Sequence, residues 1–337
     1  MRLTKIAMFC GLVALVPNLA SADTLEDVMK KGALNCGVST GIPGFSATDS
    51  EGVWKGLDVD LCRAIASAVF GDAEKVKYIP LTAKERFTAL QSGEVDVLSR
   101  TTTWTATRDT SLGLNFAGVN YYDGQGFLVS KSLGVTSAKE LDGATFCIQA
   151  GTTSELNLTD YFKANNMEYK GVTYDTSGQT IDGFKKGRCD AVTSDASQLY
   201  GLRQKMDDPS SSVVLPEIIS KEPLGPVVRQ GDDVWFNIVK WTMFATLEAE
   251  ELGVTKANVD DMMKSENPSI KRLLGTSGNA GENLGLKSDW AYQIVKNVGN
   301  YGESFDMHVG KGSPLAIDRG LNNLWNKGGL MYSMPIR

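Results

Sequence analysis

Two apolar periods alternate along the first two hundred residues. Residues 32–40 (GALNCGVST), 75–81 (KVKYIPL) and 95–100 (VDVLSR) are short apolar runs that predict strands. Between the first two, residues 60–70 (DLCRAIASAVF) put Leu61, Ile65 and Val69 on one helical face. Residues 84–92 predict a short helix, which Gly93 ends. This strand–helix alternation predicts an α/β fold, a mostly parallel sheet flanked by helices. Ligands of such sheets bind outside the carboxyl ends of the strands.

The same logic returns further along. Strands are predicted at 144–149, 168–174 and 189–193, with helices from AGTTSEL to about Lys163, over 181–186 to Gly187, and over 197–206. Residues 90–100 (LQSGEVDVLSR) and 184–195 (FKKGRCDAVTSD) share one frame, apolar-x-x-Gly-x-x-Asp before an apolar strand. With matching surroundings, the echo predicts two similar lobes. Apolar stretches at 126–129 (GFLV) and about 224–228 (LGPVV) read as extended crossovers, and two crossovers make a hinge. The chain then turns helical, at 234–251, 289–298 and 316–325. This tail is assigned to the first lobe, because the second crossover returns there. Trp235, Phe236 and Trp241 read as core at helical spacing.

The beginning of the chain reads as a secretory leader: Arg2 and Lys5, an apolar run over 6–16, then Ala20-Ser21-Ala22. Cleavage is expected after Ala22. No lipobox-like sequence precedes Cys10, so no lipid anchor is expected. Loss of Arg2 and Lys5 takes the formal net charge from −6 to −8, which argues against nucleic acid or an anionic membrane as partner. A chain of 337 residues exceeds one typical core, consistent with two lobes. Cys36, Cys62, Cys147 and Cys189 remain, and an even number in an exported protein reads as disulfides, with three connectivities open. A single histidine, His308, leaves no zinc cluster and no Ser-His-Asp triad; it reads as a surface or capped residue. No cofactor, metal or catalytic motif is read.

Candidate chemistry concentrates in residues 99–109, SRTTTWTATRD. The echoed strands end in opposite charges: the first in Ser99-Arg100-Thr101 and then Arg108, the second in Ser194-Asp195. Between them, Gly151-Thr152-Thr153-Ser154 is a strand-to-helix turn suited to an anionic group. Across a cleft these groups match a ligand with a carboxylate and an ammonium, of which an α-amino acid is the smallest common kind. Arg108 has the planar fork for the carboxylate, and Asp195 accepts from the ammonium. Asp195 also stands where a helix N-cap would. A plainer reading makes Arg100 and Arg108 solvated and the threonines strand formers.

The chain resembles the periplasmic solute-binding proteins of polar amino acid ABC importers, family 3. The resemblance lies in GLDVDLCRAIASAVFG (56–71), VKYIPL (76–81), FTALQSGEVDVLSRTTTWTATRD (87–109), the YY after NFAG (121–122), FCIQAGTTSEL (146–156) and GRCDAVTSD (187–195). The tail at 300–337 is similar to the general L-amino-acid-binding subgroup. The resemblance implies a two-lobed type II periplasmic binding protein, with lobe 1 at 23–127 plus 228–337 and lobe 2 at 128–227. It implies hinged closure on an L-amino acid, docking on membrane permease subunits, a monomer, and no catalysis. The family's roles fall on Thr101, Thr103 and Arg108 for the α-carboxylate, on Gly151, Thr152 and Thr153 from the other lobe, and on Asp195 for the ammonium. The family's covering aromatic falls nearest Ile42 or Phe45, which leaves that lid open. Arg86 and Arg100 depart from the common pattern and lean toward Glu, Asp, Gln or Asn. They could equally pair with Glu85, Asp109 or Asp123, which leaves specificity broad. One disulfide per lobe, Cys36–Cys62 and Cys147–Cys189, would leave the hinge free. A lyase or dehydratase on the same fold, with Glu155 or Asp195 as acid or base, is the alternative.

Overall fold

The computed structural model describes residues 23–337. The expected leader, its cleavage point and Cys10 lie outside the described residues. Two five-stranded sheets form, and their strand orders match. The first runs Val76–Pro80, Leu34–Val38, Val97–Leu98, Val227–Arg229, Leu114–Phe116. The second runs Lys170–Tyr174, Thr145–Gln149, Ala191–Asp195, Gln125–Ser130, Ser212–Val214. In each, three neighbouring strands are parallel, and the fourth is antiparallel to both strands beside it.

The repeated Gly-x-x-Asp frame has one physical job in both sheets. Asp96 accepts from the backbone N–H of Asn35 at 2.9 Å, and Asp190 from that of Thr145 at 2.8 Å. Each carboxylate thereby ties the start of one parallel strand to the entry of the next. The backbone N–H of each aspartate donates to the same neighbour, at 2.8 Å in both sheets.

The expected crossovers at 126–129 and 224–228 are displaced. Gln125–Ser130 is wholly a strand of the second sheet, and Val227–Arg229 belongs to the first. The connections lie at their N-terminal margins. Tyr121–Asp123 and Glu222–Leu224 pair antiparallel as a two-stranded ribbon, with Asp123 opposite Glu222. Both apolar stretches are buried on two faces, which is why they read as continuous rather than alternating.

Helix Leu57–Phe70 packs against Asp233–Glu251 and Trp290–Asn297 on the first sheet. Trp235 is buried there, and its Nε1 donates to Asp96 O at 2.9 Å, while Phe236 and Trp241 are half-buried at the edge. The helix expected at 316–325 does not form. Ala316 and Gly320 hold positive φ of 47° and 48°, and two 3₁₀ turns, Gly320–Asn322 and Trp325–Lys327, stand in its place. The last α-helix is instead Tyr301–His308, started by a reciprocal capping box between Asn300 and Glu303. The reading of His308 as a surface or capped residue is also corrected: its Nε2 lies 2.9 Å from Asp60 Oδ2, which accepts from Ser304 Oγ at 2.7 Å. Disulfides join Cys36, on a strand of the first sheet, to Cys62 on the helix Leu57–Phe70, and Cys147, on a strand of the second sheet, to Cys189 just before the strand Ala191–Asp195.

Candidate functional site

The strand Val97–Leu98 stops early, and Ser99 to Arg108 leave the sheet along its carboxyl edge. Thr101 sits at φ 46°, a conformation costly for a β-branched residue. Buried Asp58 holds it, accepting from Thr101 N at 3.0 Å and from Ser99 Oγ at 3.3 Å. Burial, partly offset by these donors and Arg100, raises the Asp58 carboxyl to about 6. The hydroxyls of the stretch divide their work. Thr102 Oγ1 donates to Arg100 O at 3.4 Å, and Thr105 caps helix Ala106–Ser111 by accepting from Arg108 N at 3.3 Å.

A small cavity of about 20 Å³ lies between the two sheets, at the carboxyl ends of their parallel strands. Arg86, Arg100, Thr101 and Thr103 line it from the first half. Thr152, Thr153 and Asp195 line it from the second, with Gln149, Ser154, Ser194 and Gln198. Seven of the nine expected ligand residues thus converge there. Arg108 and Gly151 are not in the lining. Arg108 lies just behind, its Nη1 donating to Thr103 O at 2.9 Å. The N–H of Gly151 donates to Glu155 Oε2 at 3.1 Å. Ile42 and Phe45 are core residues and do not line the cavity.

The electrostatics are lopsided. Arg86 and Arg100 are buried, and the Nε of each has no hydrogen-bond partner. The guanidiniums of Arg86 and Arg108 lie 4.7 and 5.3 Å from the Phe87 ring centroid. Burial, then the like charges of Arg100 and Arg108, hold Arg86 well below the usual arginine range. Burial likewise brings Arg100 down to about 10. None of the three forms an ion pair among the described residues. Two of the three alternative partners are engaged elsewhere: Glu85 accepts from Thr82 Oγ1 at 2.7 Å, and Asp123 accepts from Gly124 N at 2.8 Å and from the Ser197 hydroxyl.

Asp195 occupies the N-cap of helix Ala196–Arg203 but caps no backbone N–H. Its carboxylate accepts from the Gln198 side chain instead. Burial, then the Asp123 and Glu222 carboxylates, push it well above the usual carboxylate range, against Arg86 and Arg108. Sequence reasoning missed Gln198, one helical turn beyond Asp195, and Gln149, at the end of the strand before Gly151. The helix periodicity offered a signal for the first. Nothing marked the second.

The halves touch across the cavity. Thr103 Oγ1 meets Thr153 Oγ1 at 3.3 Å. Lys84 Nζ lies 2.9 Å from Asp175 Oδ1 at one margin, and Lys205 Nζ donates to Gly41 O at 2.8 Å at another. No group of residues suited to a metal ion occurs among the described residues, and no helix of the described residues is long and apolar enough to cross a membrane.

Two matching sheets, a paired-strand connection and a charged cavity between them define a two-lobed binding clamp, the type II periplasmic binding protein fold. The chain belongs to the bacterial extracellular solute-binding proteins, family 3, which its residues 34–257 match. It is 57% identical over 338 residues to the general L-amino acid-binding periplasmic protein AapJ of Rhizobium johnstonii, covering 100% of this chain and 99% of that protein. It is 54% identical over 328 residues to the glutamate/glutamine/aspartate/asparagine-binding protein BztA of Rhodobacter capsulatus, covering 97% of each. A solved ABC transporter / periplasmic binding protein from Brucella ovis with glutathione bound superposes with a TM-score of 0.92 at 58% identity, covering 94% of this chain and 100% of that one.

Proposed function

We propose that this chain is the periplasmic receptor of an ABC importer, that it binds L-amino acids broadly, and that it leans toward glutamate, aspartate, glutamine and asparagine. The observation that carries the reading is the pair of buried guanidiniums, Arg86 and Arg100, without acceptors at Nε, in a cavity that also holds Asp195. A buried donor without a partner costs free energy that a ligand acceptor restores. Arg86 and Arg100 face the carboxylates of the ligand, with the charge of Arg108 behind Thr103, Asp195 faces its ammonium, and the helix start at Thr152–Thr153 completes the enclosure. The two lobes, divided at the ribbon of 121–123 and 222–224 rather than at 127/128 and 227/228, which would cut the strands Gln125–Ser130 and Val227–Arg229, close on the ligand about that ribbon. The closed monomer presents its ligand to a permease and releases it unchanged. The names of the two 54–57% identical relatives support amino acids as the cargo.

Calorimetry with the twenty L-amino acids tests this. Glutathione joins the panel, because the Brucella ovis relative was solved with it. Tight binding of several amino acids, acidic ones and their amides foremost, is expected, with ligand recovered chemically intact after dissociation. No binding across the twenty sinks the reading, and recovery of an altered product revives the lyase alternative.

A further inference from the structure

Glu222 is buried in the connecting ribbon, and nothing in the sequence pattern singled it out. Three donors converge on its carboxylate. Thr153 Oγ1 donates to Oε2 at 2.8 Å, and Asn157 Nδ2 and Ser220 Oγ donate to Oε1 at 2.6 and 2.7 Å. A carboxylate accepts only, and a hydroxyl has a single proton. The proton of Thr153 is therefore committed to Glu222. Across the cleft, Thr153 Oγ1 meets Thr103 Oγ1 at 3.3 Å, and there it can only accept. Thr103 must donate, so only lone pairs of its hydroxyl remain for the cavity it lines.

We propose that Glu222 is a positioning residue for ligand recognition, fixing the direction of a Thr103 to Thr153 to Glu222 hydroxyl relay so that Thr103 presents an acceptor to the ligand. The inference rests on the reading of the cavity as an amino-acid site and adds what sorts its two ends. The ammonium faces acceptors only, Asp195 and Thr103, which moves Thr103 from the carboxylate role that the resemblance implied, and the carboxylates face the guanidiniums. A threonine free to rotate would serve either polarity. Glu222 removes that freedom from a residue far from the ligand in sequence, and it joins the cleft to the ribbon about which the lobes move.

Glu222→Gln keeps the size and one acceptor but sets an amide N–H against Thr153, which frees the Thr153 proton and reverses the relay. The purified protein is titrated with L-glutamate and, at millimolar concentration, with glutarate, which has both carboxylates and no ammonium. Thr153→Val and the double variant complete a cycle. Glutamate is expected to weaken about tenfold or more in Glu222→Gln, while glutarate stays within about twofold or tightens. In the Thr153→Val background the same change should alter glutamate affinity by less than about twofold, because it acts through Thr153. Equal losses for both ligands, or additive effects around the cycle, overturn the relay. Should Glu222→Gln fail to fold, Thr153→Val alone decides: a loss confined to glutamate supports the relay, and equal losses overturn it. A wild-type protein that binds none of the twenty amino acids removes the amino-acid reading first, and the relay with it. A normal amino-acid panel with an unaltered Glu222→Gln variant removes the relay alone.

Discussion

Replacing Arg86 by methionine separates what the cavity costs from what it recognises. Arg86 is 3% exposed, and its Nε has no acceptor. Its nearest charges include Arg100 and Arg108, which repel it. A buried unsatisfied donor costs about 1–3 kcal/mol. The Phe87 face, 4.7 Å from the guanidinium, returns about 0.5–2 kcal/mol. Methionine has a comparable unbranched stem and no polar donor. Arg86→Met should therefore stabilise the ligand-free protein by about 1 kcal/mol, raising Tm by about 1–2 °C. Affinity should move the other way. Loss of a charge-assisted hydrogen bond to a side-chain carboxylate costs about 1.5–3 kcal/mol, or about 10–150-fold in Kd for glutamate and aspartate. Alanine and serine should change by less than about threefold. Scanning calorimetry without ligand and titration calorimetry with four amino acids give both numbers. A lower Tm with unchanged affinity for acidic ligands would make Arg86 a structural residue and refute the reasoning.

Three further outcomes follow from the geometry. Arg108→Ala should weaken every amino acid in the panel by at least about 100-fold, since removal of a buried charge partner costs about 3 kcal/mol or more; a loss limited to acidic ligands would contradict its assignment to the common carboxylate. Burial, with the nearby Glu222 carboxylate and against the hydrogen bonds from Ser197 and Gly124, raises the carboxyl of Asp123 to about 6. The folded state then holds that proton more tightly than the unfolded chain, so ligand-free stability should fall as pH rises from about 4 to 6. Asp123→Asn should flatten that fall in a pH series of melts, and an identical slope in both proteins would refute the assignment. Changing Cys147 and Cys189 to serine opens a loop with a sequence separation of 42. This should lower stability by about 4 kcal/mol in denaturant titrations and leave glutamate affinity within about threefold; a large loss of affinity would show that the bridge shapes the cavity.

Local physics made much of this protein legible in its sequence. Strand and helix periods depend on neighbours one to four residues apart, so Leu61, Ile65 and Val69 announce their helix without reference to the rest of the chain. The Gly-x-x-Asp frame announced two related sheets, because each aspartate ties the same two strands together. Cysteine count and opposed charges at two strand ends led to the oxidised compartment and to Arg100 and Asp195 in one cavity. Where local rules competed, the sequence misled. Residues 316–325 look helical, yet Asn322 satisfies the backbone of Tyr122, 200 residues away, and that tie outweighs propensity. Tertiary structure alone decided that Arg86 and Arg100 face the cavity while Glu85 and Asp123 bond elsewhere, and that Arg108 stands behind Thr103. It alone set Glu222 against Thr153, 69 residues apart in the chain. A charge pattern records which groups are present, but which of them remain without a partner is settled only when distant segments are packed together.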